Sequence, residues 1–105
     1  MANPWMRSVT TSDTSVHRLI DLLQAIDPDV PLQCAQLRLR LTLSSPGKIF
    51  IGNSAVSSTD WGEELTVSQY FDSFARAAND FPLQDIYIVA ESASLTRIGV
   101  TILLQ

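Results

Sequence analysis

Lysine appears once in the 105 residues, at position 48, histidine once, at 17, and cysteine once, at 34. With seven basic against eleven acidic residues and a formal net charge of -4, the chain lacks the clustered cations that phosphate binding needs. No nucleic-acid partner is therefore expected. A single cysteine excludes an internal disulfide, and the apolar surroundings of Cys34 suit a buried thiol in a reducing compartment. Long hydrophobic runs are missing too. Stretches such as Ile98 to Leu104 fall far short of the roughly 20 residues of a membrane-spanning helix. No basic start leads into an apolar segment and a cleavage-like site. The expectation is folding in the cytoplasm without a membrane partner.

What the chain does have is apolar content, 46% hydrophobic residues, which excludes intrinsic disorder. Its length suits one domain, since domains run about 50 to 250 residues. Residues Met1 to Thr11 show neither a helical nor a strand period but include Pro4, Trp5, Met6 and Arg7, and read as a docking arm. Ser12 or Asp13 then offers an N-cap oxygen, and Val16, Leu19, Ile20, Leu23 and Ile26 recur on one helical face. A helix over Thr14 to Ala25 follows, stopped before Pro28 because the residue preceding proline is driven from the α region. Residues 1–31 thus read as arm plus short helix, and 32–105 as a β domain.

From Gln36 to Leu43 the pattern is strict period-two alternation. Leu37, Leu39, Leu41 and Leu43 share one sheet face, with Arg38, Arg40 and Thr42 on the other. A one-residue slip would expose four leucines and bury two guanidinium groups, so the register is firmly set. Ser45, Pro46 and Gly47 supply a turn into Lys48 to Ile51, which predicts a hairpin joining Leu43 and Ile49. Gly52 and Asn53 break this strand, Ala55 and Val56 continue it, and Thr59 to Gly62 turn before Leu65 to Val67. Further strands are expected at Ile86 to Val89 and Arg97 to Leu104, with Gly99 as a bulge or close-approach point. Over Ser68 to Asp80 we read a helix, from Tyr70, Phe71, Phe74, Ala77 and Ala78 with Ser68 as cap, although the aromatic content also suits a strand. The fold class that results is mainly β: a small antiparallel sandwich or barrel with an N-terminal arm and one or two short helices.

The residues that carry chemistry are few. His17 is the only base for a Ser-His-Asp or Cys34-His arrangement, and no G-x-S-x-G elbow accompanies it. Asp60, Glu63 and Glu64 resemble a fragment of a Ca²⁺ loop without its alternating ligands and read as a solvated turn. Asp80, Asp85 and Glu91 offer no pair placed across a cleft. Pro46-Gly47-Lys48 lacks the remaining residues of a phosphate loop, and Trp61 follows Asp60 in the wrong order for a propeller blade. The chain therefore reads as non-enzymatic, with no catalytic, metal or cofactor residue assigned; a small ligand-binding barrel or enzyme is the rival from another class. Arg38 and Arg40 form a basic stripe on one sheet face, able to meet an acidic partner through bidentate guanidinium pairing. With Pro4, Trp5, Met6 and Arg7 of the arm, they make up the candidate partner-binding residues.

The run Gly47 to Val56, with Ile51-Gly52-Asn53, then Gly62-Glu63-Glu64-Leu65, Leu83-Gln84-Asp85-Ile86-Tyr87 and Gly99-Val100-Thr101-Ile102, resembles small virion structural proteins of tailed bacteriophages. These share an aliphatic strand ending in Ile-Gly-Asn or Ile-Gly-Asp, a Gly-x-x-Leu turn and a Leu-x-x-Ile-Tyr strand. The likeness runs from about Leu32 onward and departs over Thr66 to Asp80, where that pattern has a Pro-Gly-Glu turn and a short strand. It implies a capsid cement or decoration protein that binds the major capsid protein, bridges capsomers and forms a homo-oligomer such as a trimer. The alternative within the same particle is a tail, neck or baseplate component. In both cases the place of residence is the virion.

Overall fold

The alternation at residues 36–41 becomes a strand whose leucines Leu37, Leu39 and Leu41 are completely enclosed while Arg38 and Arg40 face solvent. The structure is a computed structural model that describes residues 4–42, 45–67, 69–76 and 79–104. Within these, the strands in chain order are β1 (Trp5–Thr11), β2 (His17–Arg18), β3 (Gln33–Cys34), β4 (Gln36–Leu41), β5 (Ile49–Gly52), β6 (Glu63–Leu65), β7 (Tyr70–Phe74), β8 (Phe81–Pro82), β9 (Tyr87–Ala90) and β10 (Thr96–Leu103). One helix, α1 (Leu19–Gln24), follows β2, and a 3₁₀ turn at Leu83–Asp85 precedes β9.

The strands form two four-stranded antiparallel sheets, ordered β1-β10-β4-β7 and β2-β9-β5-β6, with β3 and β8 paired as a small ribbon. Inner-facing Leu37, Leu39, Ile98, Val100 and Ile102 of the first sheet join Ile49, Ile51, Leu65, Ile88 and Ala90 of the second in one core. The fold is thus mainly β, a small two-sheet sandwich. Each large apolar side chain enclosed there is worth roughly 1.5 to 3 kcal/mol relative to exposure. No helix among the described residues is long and apolar enough to cross a membrane.

The described residues ahead of position 32 are part of this sandwich. Residues 5–11, expected as a docking arm, pair with β10 over their whole length, from Trp5 opposite Ile102 to Thr11 opposite Thr96. Val9 is buried, and with Leu19, Ile20, Leu23 and Val30 it belongs to the same core as β4 and β10. No division of the packing falls at residue 31. The period was obscured because the inner-facing row of β1 includes Arg7 and Thr11 alongside Trp5 and Val9.

The helix is shorter than its spacing suggested, six residues rather than twelve. Asp13 does not cap it. Its carboxylate instead accepts from the Ser15 backbone N–H at 2.9 Å and lies 2.8 Å from His17 Nε2, so the chain bends and residues 17–18 pair with β9. Only Leu19, Ile20 and Leu23 are buried on α1, while Val16 and Ile26 at the ends of the expected stripe are exposed. The Asp27 N–H closes the last turn on the Leu23 carbonyl at 2.9 Å, and Pro28 then prevents continuation.

Three other expectations are corrected. The hairpin between β4 and β5 does not form, because β4 pairs with β10 and β7 whereas β5 pairs with β6 and β9. Between β4 and β5 the chain passes from one sheet to the other; Leu43 lies outside the described residues. The stretch read as helix at 68–80 contains strand β7, whose Phe71 packs on the core opposite Leu39 while Tyr70 and Phe74 turn outward. Ser68, Ala77 and Ala78 lie outside the described residues. Gly99 is no bulge: pairing runs unbroken through it on both sides, Ser8 on one and Arg40 on the other.

Candidate functional site

Alternation in the first sheet leaves one continuous outer face. Across it the pairing places Met6, Thr101, Arg38 and Asp72 in one row and Ser8, Gly99, Arg40 and Tyr70 in the next. Leu103, Gln36 and Phe74 form a third. Met6 is 63% exposed, Tyr70 56% and Phe74 64%, so three large apolar groups stand in solvent on a single face. The four strands hold four of the seven basic residues, Arg7, Arg38, Arg40 and Arg97, and one of the eleven acidic ones, Asp72. This face is cationic in a protein whose net charge is negative.

Its charges are partly organised. Arg38 Nε and Nη2 donate to the two oxygens of Asp72 at 2.7 and 2.8 Å, a forked pair, and the guanidinium carbon lies 4.2 Å from the centre of the Tyr70 ring. The donated hydrogen bonds hold the Asp72 carboxyl below the usual carboxylate range and raise the Arg38 pKa. Arg97 Nη1 reaches Ser8 Oγ at 3.4 Å. Arg40 makes no ion pair among the described residues. Beside it is a hollow of about 450 Å³ lined by Met6, Arg7, Arg38, Arg40, Gly99 and Thr101, with the bare backbone of Gly99 among its walls.

Of the six residues proposed from sequence, the structure brings Met6, Arg38 and Arg40 onto this face. Arg7 sits in the inward row but at the sheet edge, where it stays exposed and rims the hollow. Pro4 is exposed ahead of β1. Trp5 faces the other way: half-buried against the core, its Nε1 donates to Asp27 Oδ2 at 2.7 Å and depresses that carboxyl's pKa. Tyr70, Phe74 and Gly99 complete the face and were missed as contacts, the first two because their segment was read as helix.

The remaining chemistry-bearing residues lie apart. His17 is engaged by Asp13 at the surface. Cys34 is fully enclosed, and burial pushes its thiol pKa up to about 11, so no thiolate forms near neutral pH. The Lys48 ammonium lies between the Glu64 carboxylate and that of Glu91, the latter 3.9 Å away, which leaves the Pro-Gly-Lys turn no free cation for a phosphate. Asp60, Glu63 and Glu64 assemble no ligand set; among the described residues no group of three or more His, Cys, Asp or Glu side chains could hold a metal ion. A cleft of about 460 Å³ between β6 and β7 is lined by Glu63, Glu64, Gln69 and Asp72 among others, and its Glu64 and Asp72 are the carboxylates already paired with Lys48 and Arg38.

No protein-family model matches the chain, and comparison with curated proteins and with solved structures gives no match.

Proposed function

We propose that this protein is a non-enzymatic structural component of a virion, of the capsid cement or decoration kind, and that it docks on other protein surfaces through the outer face of β1-β10-β4-β7. The observation that carries the protein-binding part is the gathering of Met6, Tyr70 and Phe74 with Arg38 and Arg40 on one uncovered face. Aromatic and arginine side chains are the groups that dominate binding energy at protein interfaces. The virion part rests on the resemblance of residues 32 onward to small phage structural proteins. In that setting the mechanism is burial of area across subunit joints, where about 1,600 Å² in total makes an ordinary specific contact and repetition over a shell multiplies it.

The test is to purify particles assembled in the presence of the chain and to reconstruct them. Density for the sandwich on the shell, lost in a Tyr70→Ser, Phe74→Ser, Arg40→Glu variant that remains folded, is the expected result. Density on the tail or neck would move the role within the particle, and its absence from purified particles would overturn the reading.

A further inference from the structure

Resting on the reading of this sheet as a protein-docking surface, we infer that its outer face receives an extended acidic segment of the partner, laid along β10 with a carboxylate held by Arg40.

The outer row of β10 runs Arg97, Gly99, Thr101, Leu103. The last three are half-buried, whereas Met6 on one flank and Arg38 and Arg40 on the other are exposed. The small side chains at 99 and 101 therefore floor a trough that follows the strand. Three hollows of about 300, 450 and 270 Å³ lie along it; the first two share Met6, Arg38 and Thr101, and the last two share Arg40 and Gly99. From Gly99 to Leu103 the trough runs roughly 14 Å at about 3.4 Å per residue, the span of a short extended peptide. Gly99 keeps it open, since the nearest atom to an added Cβ would be the Arg40 carbonyl oxygen at 3.6 Å.

Charge selects the occupant. The face carries Arg38, Arg40 and Arg97 against Asp72, while the remainder of the chain holds four basic and ten acidic residues. Arg38 is held by Asp72, and Arg97 turns to Ser8 Oγ at 3.4 Å, so Arg40 is the guanidinium left for an incoming carboxylate. A phosphate backbone would need a free cation at step after step. One open guanidinium near an exposed Met6 suits instead a carboxylate with an apolar side chain close by in the sequence. A second copy set face to face would oppose arginine to arginine. The segment thus comes from a different chain. Its carboxylate takes the fork of Arg40, and the side chains at the next alternate positions, which point the same way in an extended peptide, cover Met6 and Leu103.

Binding of short labelled peptides to the full chain, followed by fluorescence anisotropy, tests this. Peptides in which Asp or Glu alternates with Leu or Phe should bind, and less tightly as salt rises. Their Asn or Gln counterparts should bind roughly tenfold or more weakly. Gly99→Val fills the trough with a side chain that a strand accommodates, and it should cost a similar factor, as should Arg40→Glu. Arg40→Glu should in turn bind the peptides that carry Lys in place of the acid, a reversal that a loosened fold would not produce. Arg18→Glu, on the other sheet, should leave binding unchanged. Equal affinity for acid and amide peptides, no binding by any of the acidic set, or oligothymidylate binding as tight as theirs would overturn the inference. So would self-association of the chain that Arg40→Glu abolishes. Particle binding through this face without peptide binding would sink it while leaving the proposed function standing; peptide binding without particle binding would do the reverse.

Discussion

The two sheets expose their outer faces to different fates. On the β5 and β9 side the chain covers itself: Phe50 and Val89 are buried beneath Val56, with Tyr87 packed alongside and Trp61 stacked on Phe50. On the β4 and β10 side nothing among the described residues folds back, and Met6, Tyr70 and Phe74 stay in water beside Arg38, Arg40 and Arg97. The covering segment, residues 53–62, is held by short-range bonds, Val56 N–H to the Asn53 carbonyl at 3.0 Å and Gly62 N–H to the Ile51 carbonyl at 2.9 Å. A loop of ten residues therefore decides which face is a second core and which is a surface for others. Apolar groups left open on one face of an otherwise closed molecule mark an interaction site more often than a defect.

That contrast can be broken most severely at the edge of the open sheet. Deleting residues 1–11 removes β1, uncovers the β10 edge and strips Trp5 and Val9 from the core, so the product should lose its cooperative thermal transition by circular dichroism. A truncated chain that melts like the parent would show that the sheet holds without that strand. Next in size is a matched pair of aromatics: Phe50→Ala on the covered face should cost about 3 to 5 kcal/mol in urea unfolding, whereas Phe74→Ala on the open face should stay within about 0.5 kcal/mol. Equal effects would abolish the distinction between the faces.

A matched pair of glycines gives a finer comparison. A Cβ on Gly52 would meet the Val56 Cβ at 3.1 Å, and Val56 is wedged in the small cluster with Phe50 and Val89. Gly52→Ala should therefore cost about 1 to 3 kcal/mol, while Gly99→Ala, with only an ordinary contact, should be neutral or slightly stabilising in the same unfolding measurement. The smallest effect is in acid. Asp27, held low first by the Trp5 N–H and then by the Asp29 backbone N–H, and Asp72, held low by Arg38, both have folded pKa values below their unfolded ones. Their contribution is present above the unfolded value, about 3.9, and is lost as pH falls through the lower folded value. In a Trp61→Phe background, Trp5 emission should report the Asp27 step, and Asp27→Asn should remove it.

Much of the architecture was legible where burial imposes a short period. The alternation of residues 36–41 gave both strand and register, because two arginines could occupy only the wet side. Tyr70 to Phe74 was not legible: its apolar positions fit a helical face as well as a strand, and pairing with β4, more than thirty residues away, decides between them. The missed β1 and the wrongly expected hairpin have the same cause, since sheet membership depends on distant partners and adjacency in sequence argues for a turn. Of the candidate site, Arg38 and Arg40 could be read from their alternation with leucine. The hollow beside them depends on Met6 and Gly99 arriving from two other strands.

The pairing of β1 with β10 also orders events in time. Strand β1 can find its neighbour only once residues 96–103 have emerged from the ribosome, so that sheet closes well after β1 itself has been made. Folds dominated by such distant pairings form slowly, and while it waits a nascent segment bearing Trp5 and Val9 is a natural client for chaperones.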